Sequence, residues 1–405
     1  MPAGQTFVIV GASLAGAKAA ETLRDEGFDG RVVLIGEEAV RPYERPPLSK
    51  DYLRGEKGFE DAAVHPESFY SERDIELRTS TVAASLDVAS KVVVLGGGER
   101  LGYDRLLIST GAEPRRLTIE GSELQGIRYL RSVSDADVLH EALTGSPHVV
   151  VIGAGWIGCE VAASARQLGA EVTMVEIGSV PLERVLGREV GEVYRDLHLA
   201  HGVDMRLEAG IEAFVGSSAV EGVRLVDGTV LSADVVVVGV GVTPRTSLAV
   251  GAGLEVDNGI VVDERLKTSR EDIWAAGDVA NALHPRYRSR IRLEHWSAAL
   301  NQGPVAAKNM LGSTTSYDRT PYFFSDQYDV GMEYRGWAPV FDEVVIRGDV
   351  VAREFIAFWL REGSALAAMN VNIWDQGDAI EALLKAERPV DPAKLADPAV
   401  DLSEV

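Results

Sequence analysis

One pattern constrains this chain more than any other, and it occurs twice. A short apolar run, Phe7–Val10, leads into Gly11-Ala-Ser-Leu-Ala-Gly16, then into helical spacing over Ala17–Arg24. A second run, Arg31–Ile35, follows and ends at Glu37. About 140 residues later Val149–Ile152 leads into Gly153-Ala-Gly-Trp-Ile-Gly158 and a helix from about Cys159 to Leu168, with Gly169 as its stop. The next run, Glu171–Val175, ends at Glu176. Each copy reads as a buried parallel strand, a tight turn, a helix and a second strand with an acid at its tip. The first glycine permits the turn, and the last lets the helix pack closely on the strand. The helix start then offers backbone N–H groups and a positive dipole end to a pyrophosphate. The acid accepts hydrogen bonds from a ribose. Two such units in one chain predict two dinucleotide-binding domains.

The copies differ in ways that matter. Gly153, Gly155 and Gly158, with Trp156 and Ile157 between them, complete the three-glycine pattern. In the first copy, made of Gly11, Ser13, Leu14, Ala15 and Gly16, serine replaces the middle glycine. Its small hydroxyl can still donate to a phosphate. Glu176 bears on the choice between nicotinamide dinucleotides. Its carboxylate suits a ribose diol and would repel a 2′-phosphate by roughly 1–4 kcal/mol at about 4 Å, depending on the local dielectric. Ile177, Gly178 and Ser179 offer no basic clamp, although Arg184 lies within reach. The expectation is NAD rather than NADP.

Bulk properties set limits. A chain of 405 residues is too long for one core. The balance of 40 basic and 62 acidic residues, 40 − 62 = −22, favours solubility and disfavours nucleic acid. No run approaches the roughly 18 consecutive apolar residues of a membrane helix. Phe7–Gly16 is apolar but lacks the basic leader of a signal peptide, so the expected location is cytoplasmic. The single cysteine, Cys159, excludes an internal disulfide, a Cys-x-x-Cys pair and an all-cysteine metal site. Its place at the start of the second helix reads as a small buried residue. The seven histidines show no ligand spacing, and no metal is expected. His198 and His201 read as a solvated helix end.

Other segments carry weaker signals. Tyr103–Ala112 and Asp234–Pro244 each read as a strand entering a turn, at Thr110-Gly111 and around Gly241, where the chain crosses between the two domains. Ile273–Asp278 is a strand ending in Gly-Asp. Asp278 there either holds a sugar-chain hydroxyl or caps a short helix, and both remain open. Arg41–Lys50 is stiffened by three prolines and ends in Ser49 and Lys50, and on local sequence alone it reads as a surface loop with a solvated lysine. Arg286, Arg288, Arg290 and Arg292 make a basic cluster in an acidic chain, either a docking surface for an acidic partner or a strand paired with nearby acids. From about residue 319 the pattern changes. Phe341–Arg347, Phe355–Leu360 and Ala365–Asn370 read as an antiparallel meander with turns at Gly348-Asp349 and Glu362-Gly363. Asp375–Glu387 reads as a helix. Pro389–Val405 reads as a loosely ordered tail.

Taken together, Arg-Pro-Pro-Leu-Ser-Lys50, Ser-Thr-Gly-Ala112, Tyr-Leu-Arg131, Gly-Ala-Gly-Trp-Ile-Gly-Cys-Glu160, Arg-Val-Leu-Gly187, Ala-Gly-Asp278, Glu-His-Trp296 and Tyr-Phe-Phe-Ser-Asp-Gln327 carry a resemblance. The chain resembles the FAD-dependent ferredoxin reductases of bacterial oxygenase systems, over essentially its whole length. The resemblance implies an α/β fold of two Rossmann-like, glutathione-reductase-like dinucleotide domains plus an α+β C-terminal domain. It implies FAD on residues 1–112 with 243–318, NAD(H) on 113–242, and a third domain at 319–405. It implies FAD contacts at Lys50, Val82, Arg131, Asp278 and Trp296, and Glu37, Arg45, Thr110, Gly111, Glu294 and His295 are further cofactor-binding candidates. It implies NAD contacts at Glu176 and Arg184 and places Glu160 across the nicotinamide pocket, and Gly241 is a further cofactor-binding candidate. Lys50 would sit near the reactive edge of the flavin, with Glu160 as its charge partner, and these two are the catalytic candidates. The implied activity is hydride transfer from NADH to FAD and then single-electron transfer to an iron–sulfur ferredoxin feeding an oxygenase. The arginine cluster is a possible docking point for that partner.

Two other readings share the domain plan. A disulfide reductase or NADH oxidase would place a redox cysteine after the first acidic strand, where this chain has Glu-Arg-Pro-Pro-Leu-Ser-Lys. A signalling flavoprotein of the apoptosis-inducing-factor kind would carry an inserted segment and a basic nucleic-acid surface, and the acidic sequence shows neither.

Overall fold

The computed structural model describes residues 4–405. Contact density divides the chain into two compact units. One comprises residues up to Glu44, Phe59–Glu113 and Val242–Arg319. The other comprises Arg45–Gly58, Pro114–Gly241 and Thr320–Val405.

The first unit is built on a five-stranded sheet in the order Ile273–Ala275, Arg105–Ile108, Thr6–Val10, Arg31–Ile35, Ile75–Arg78. All its pairings are parallel. Val8, Ile9, Val32, Val33 and Leu34 are fully buried. That is why these strands read as continuous apolar runs rather than alternating ones. The helix Leu14–Asp25 begins one turn earlier than its apolar spacing suggested and packs against Trp296–Met310. Parallel order puts the loops after four of the strands on one edge of the sheet. Gly11, Glu37, Thr110 and Asp278 all lie on those loops, at the carboxyl edge where open α/β sheets bind ligands.

The second unit repeats the plan with strands in the order Asp204–Arg206, Glu171–Val175, His148–Ile152, Val235–Val238, Ile127–Arg128, again all parallel. The helix after the glycine turn runs Trp156–Gln167. The same unit contains a five-stranded antiparallel sheet, Tyr322–Gln327, Val330–Gly336, Ser364–Val371, Glu354–Arg361, Glu343–Asp349. One face of this sheet, with Phe323, Met332, Phe355, Trp359 and Met369, shares a core with Val161, Leu186 and Tyr194. The Trp359 indole N–H donates to the Leu186 carbonyl at 3.0 Å, so the ring's polar edge is satisfied where it is buried.

The other face of that sheet corrects the expectation of a loose tail. Ile356, Phe358 and Leu360 pack with Ile380, Leu384, Leu395, Leu402 and Val405. The last residues fold as Pro392–Ala396 and Leu402–Glu404, each started by an aspartate that accepts backbone N–H bonds. Leu395 and Leu402 are 0% and 3% exposed. Proline and acid content suggested disorder. The few apolar residues between them are spaced to reach one sheet face, and their burial orders the segment. The expected turn at Gly348-Asp349 also moves, because both residues lie inside the strand Glu343–Asp349 and the reversal falls just after it.

Candidate active site

In the first unit the glycine turn has the geometry its sequence demands. Gly11 sits at φ +121°, and a Cβ there would lie 2.1 Å from the Ser109 carbonyl oxygen. Ser13 opens the helix Leu14–Asp25 in an extended conformation without capping it through its side chain, and the first turn carries no acid. Elsewhere the chain builds a full cap, as at Ser132 and Asp135 on the helix Val133–Leu143. The N–H groups beside Leu14, Ala15 and Gly16 are thus left for an anion, which fits a pyrophosphate.

Glu37 stands at the tip of its strand, held by Arg245 through two bonds of 2.5 and 2.9 Å. Nothing in the sequence pointed to Arg245. Its backbone also anchors the Thr110-Gly111 turn, since Thr110 Oγ1 donates to its carbonyl at 2.8 Å and its N–H donates to Gly111 at 2.9 Å. The residue after Asp278 begins no helix. A strand, Ala280–His284, follows, which removes the helix-cap reading of Asp278. The Asp278 carbonyl accepts from Arg292 at 3.2 Å, and its carboxylate acts electrostatically on His295. Burial dominates there and pushes the His295 imidazole down to about 4, so the ring is neutral beside the start of the helix Trp296–Met310. Val82 is half exposed, with its carbonyl accepting from Gly96 at 2.8 Å.

In the second unit Gly153 sits at φ +94°, and a Cβ on Gly158 would lie 2.0 Å from the Gly153 oxygen. Gly155 opens the helix Trp156–Gln167, and a Cβ there would meet nothing within 4 Å, so the approach to the helix start is open. Glu176 accepts the N–H of Ala154 at 2.6 Å and that of Gly178 at 2.8 Å. Trp156 is wedged edge-on between Tyr194 and Phe323, while Ile157 is 46% exposed. Arg184 is exposed on the first turn of the helix Glu183–Ala200. Gly241, at the strand crossing, accepts from Arg115 at 2.9 Å. A groove of about 450 Å³ lies at the opposite end of these strands, lined by His148, Glu171, Asp204 and Arg166, away from the glycine turn.

The same unit brings Lys50 and Glu160 together. Lys50 Nζ lies 2.8 Å from Glu160 Oε2, and the two side chains are 8% and 4% exposed. The short helix Pro46–Ser49 presents the lysine, whose Nζ also donates to the Pro46 carbonyl at 3.2 Å. The Phe324 ring centroid lies 5.7 Å from the ammonium. Glu160 is held by two hydroxyls as well, Ser49 Oγ on Oε2 at 2.5 Å and Ser325 Oγ on Oε1 at 2.7 Å. A buried ion pair survives only when its remaining hydrogen-bonding capacity is met, and these partners meet it. Arg45 donates to the Arg131 carbonyl, so these two expected flavin contacts are also joined.

His198 corrects the reading of a solvated helix end. It is fully buried, its Nε2 lies 3.0 Å from Gln327 Oε1, and burial pushes it down to about 4. Among the described residues no cluster of three potential metal ligands occurs. Cys159 is fully buried, and burial pushes its thiol up. The basic cluster forms a hairpin, Ala280–His284 with Ser289–Ile291. Arg290 donates to the Val262 carbonyl at 2.7 Å, and Arg292 pairs with Glu294 at 2.6 Å. Arg288 is exposed at the tip, at φ +49°.

Two parallel sheets in one chain, each with a glycine turn at an uncapped helix start, fit a protein that holds two dinucleotides. The profile described as pyridine nucleotide-disulphide oxidoreductase matches residues 5–303, and the one described as reductase C-terminal matches 322–405. The rhodocoxin reductase of Rhodococcus erythropolis is 37% identical over 98% of this chain and 93% of its own. The ferredoxin–NAD(+) reductase component of the anthranilate 1,2-dioxygenase system of Burkholderia cepacia is 39% identical over 98% of both chains. Among solved structures, the covalent putidaredoxin reductase–putidaredoxin complex matches with a TM-score of 0.95 at 35% identity, covering 100% of this chain and 98% of that one. The chain belongs to the pyridine nucleotide-disulphide oxidoreductase family, among the FAD-dependent ferredoxin reductases. The cofactors of that family are FAD and a nicotinamide dinucleotide, and no helix among the described residues is long and apolar enough to cross a membrane.

Proposed function

We propose that the chain oxidises NADH and reduces a one-electron iron–sulfur ferredoxin, with FAD between them. One NADH and two oxidised ferredoxins give NAD⁺, a proton and two reduced ferredoxins. The observation that carries this reading is the buried Lys50–Glu160 pair in a chain whose one cysteine is sealed inside a helix. Without a redox dithiol, the electrons leave for an external acceptor.

Bound FAD supplies the exchange between two-electron and one-electron chemistry. The protein's part is binding, orientation and electrostatics. Gly11 to Gly16 and Gly153 to Gly158 present helix starts to the two pyrophosphates, and Glu37 and Glu176 face the riboses. Arg45, Val82, Arg131, Asp278, Glu294, His295 and Trp296 are assigned to the flavin. With FAD bound, Lys50 would offer a fixed positive charge to the negative charge that develops on reduction, and Glu160 holds the lysine in place. Glu176, kept in position by two backbone N–H groups, selects NADH over NADPH. We assign FAD to residues 1–112 with 243–318, the nicotinamide to 113–242 and an α+β C-terminal domain to 319–405, which packs into the nicotinamide unit. A cytoplasmic location belongs to the same reading, because NADH is the cytoplasmic reductant.

Stopped-flow mixing of the holoenzyme with NADH should bleach the flavin band. Cytochrome c reduction should then depend on added ferredoxin. Rapid cytochrome c reduction that ferredoxin does not stimulate would overturn the acceptor assignment, and failure of NADH to bleach the flavin would overturn the donor.

A further inference from the structure

A line of side chains in the second unit runs from Glu160 into the protein. Ser325 Oγ lies 2.7 Å from Glu160 Oε1, and Gln327 Nε2 lies 3.3 Å from Ser325 Oγ. Gln327 Oε1 lies 3.0 Å from His198 Nε2, and His198 Nδ1 lies 3.4 Å from the Tyr328 hydroxyl. Ser325, Gln327 and His198 are 2%, 1% and 0% exposed, so water does not compete for these bonds. Ser325 and Gln327 are two apart on one strand and therefore share a face. His198 comes from the last turn of the helix Glu183–Ala200.

The chemistry of one end dictates every proton along the line. A carboxylate only accepts, so the Ser325 hydroxyl donates to Glu160. Its single proton is then used, and its oxygen can only accept from Gln327. That sets the Gln327 amide with its NH₂ toward Ser325 and its oxygen toward His198. His198 Nε2 must therefore carry the proton. Burial keeps the ring neutral, so Nδ1 has none and accepts from Tyr328. Tyr328 completes the line with its ring stacked on His201 at 3.6 Å.

We propose that Ser325, Gln327 and His198 are positioning residues for the Lys50–Glu160 pair, acting as a hydrogen-bond line in which every donor points toward Glu160. The line holds Glu160 Oε1, so that Oε2 stays on Lys50 and Ser49. Each bond polarises the next, which strengthens the hold on the carboxylate. Gln327 cannot be replaced by a residue of the same shape that lacks its N–H. A freed Gln327 amide could turn its oxygen to Ser325 and draw the proton away from Glu160, which leaves the carboxylate free to rotate off the lysine. The proposal rests on the reading of Lys50 and Glu160 given above.

The orientation is read directly from the holoenzyme labelled with ¹⁵N-histidine. His198 should give the long-range ¹H–¹⁵N pattern of a neutral ring with its proton on Nε2. A proton on Nδ1 would overturn the proposal whatever the enzyme's activity. Function is read from His198→Gln, which keeps a donor and an acceptor, against His198→Leu and Gln327→Glu. His198→Leu and Gln327→Glu should slow flavin reduction at saturating NADH by about tenfold, since small displacements at a reacting pair are costly. His198→Gln should stay near wild type. Equal loss in His198→Gln and His198→Leu would mean a merely structural role. If Lys50→Met leaves flavin reduction unchanged, the role of the pair itself falls, with the tautomer result read separately.

Discussion

The carboxylate of Glu176 accepts the backbone N–H of Ala154 at 2.6 Å, so the acid at one strand tip is tied to the glycine turn that follows the neighbouring strand. Its second oxygen takes the Gly178 N–H at 2.8 Å. The negative charge is thereby held in place, and in the proposed reading it faces the adenine ribose of the nicotinamide dinucleotide. Replacing Glu176 with Gln removes the charge and, because its NH₂ cannot accept, also gives up one of the two backbone hydrogen bonds. The ratio of kcat/KM for NADPH to that for NADH should rise by about tenfold or more, from a repulsion of roughly 1–4 kcal/mol. An unchanged ratio in steady-state assays would remove Glu176 as the selector.

Lys50 and Glu160 should be coupled in stability as well as in chemistry. Lys50→Met leaves a buried carboxylate without its cation and should cost about 3–5 kcal/mol. The double change Lys50→Met with Glu160→Leu should cost clearly less than the sum of the single changes, because no charge is then stranded. Denaturant unfolding of the four proteins in a double-mutant cycle checks this, and additive effects would contradict a direct pair.

Acid sensitivity should depend on His198. Its folded value is depressed from 6.5 to about 4 by burial. Between those values the unfolded chain binds the proton and the folded chain does not. Stability from this residue is therefore complete above about pH 6.5 and falls as the pH drops toward 4, by on the order of 3 kcal/mol in all. His198→Gln cannot take a proton. The difference between its urea midpoints near pH 7.5 and pH 4.5 should be smaller than that of the wild type by a comparable free energy.

The basic hairpin divides by geometry. Arg288 and Arg290 are both exposed, but Arg290 spends its guanidinium on the Val262 and Asn281 carbonyls and Arg292 on Glu294, while Arg288 stands at the tip. Arg288→Glu should raise the KM for ferredoxin severalfold at low ionic strength, with the effect fading above roughly 0.5 M salt. Arg290→Glu should instead lower the melting temperature. A ferredoxin KM unaffected by Arg288→Glu at low salt would place docking elsewhere.

The two glycine turns were legible because their information is local. A strand, a turn, a helix start and an acid lie within about thirty residues, and steric rules require glycine where Gly11 and Gly153 take positive φ. Asp278 was ambiguous, because one aspartate after Gly can cap a helix or face a ligand. The strand that follows it removes the helix-cap reading. The tail misled because composition counts prolines and acids, while Leu395, Leu402 and Val405 act through the sheet face they reach.

The sequence by itself determined the repeated dinucleotide unit, the absence of a redox dithiol and, through family resemblance, Lys50 and Glu160 as candidates. Only the tertiary structure decided what holds them. Ser325, Gln327 and His198 are ordinary residues on a strand and at a helix end, far from Glu160 along the chain. Their protons acquire a direction only when folding buries them beside a carboxylate that can do nothing but accept. Arg245 is the same case, since its hold on Glu37 depends on a long-range return of the chain that no local pattern records.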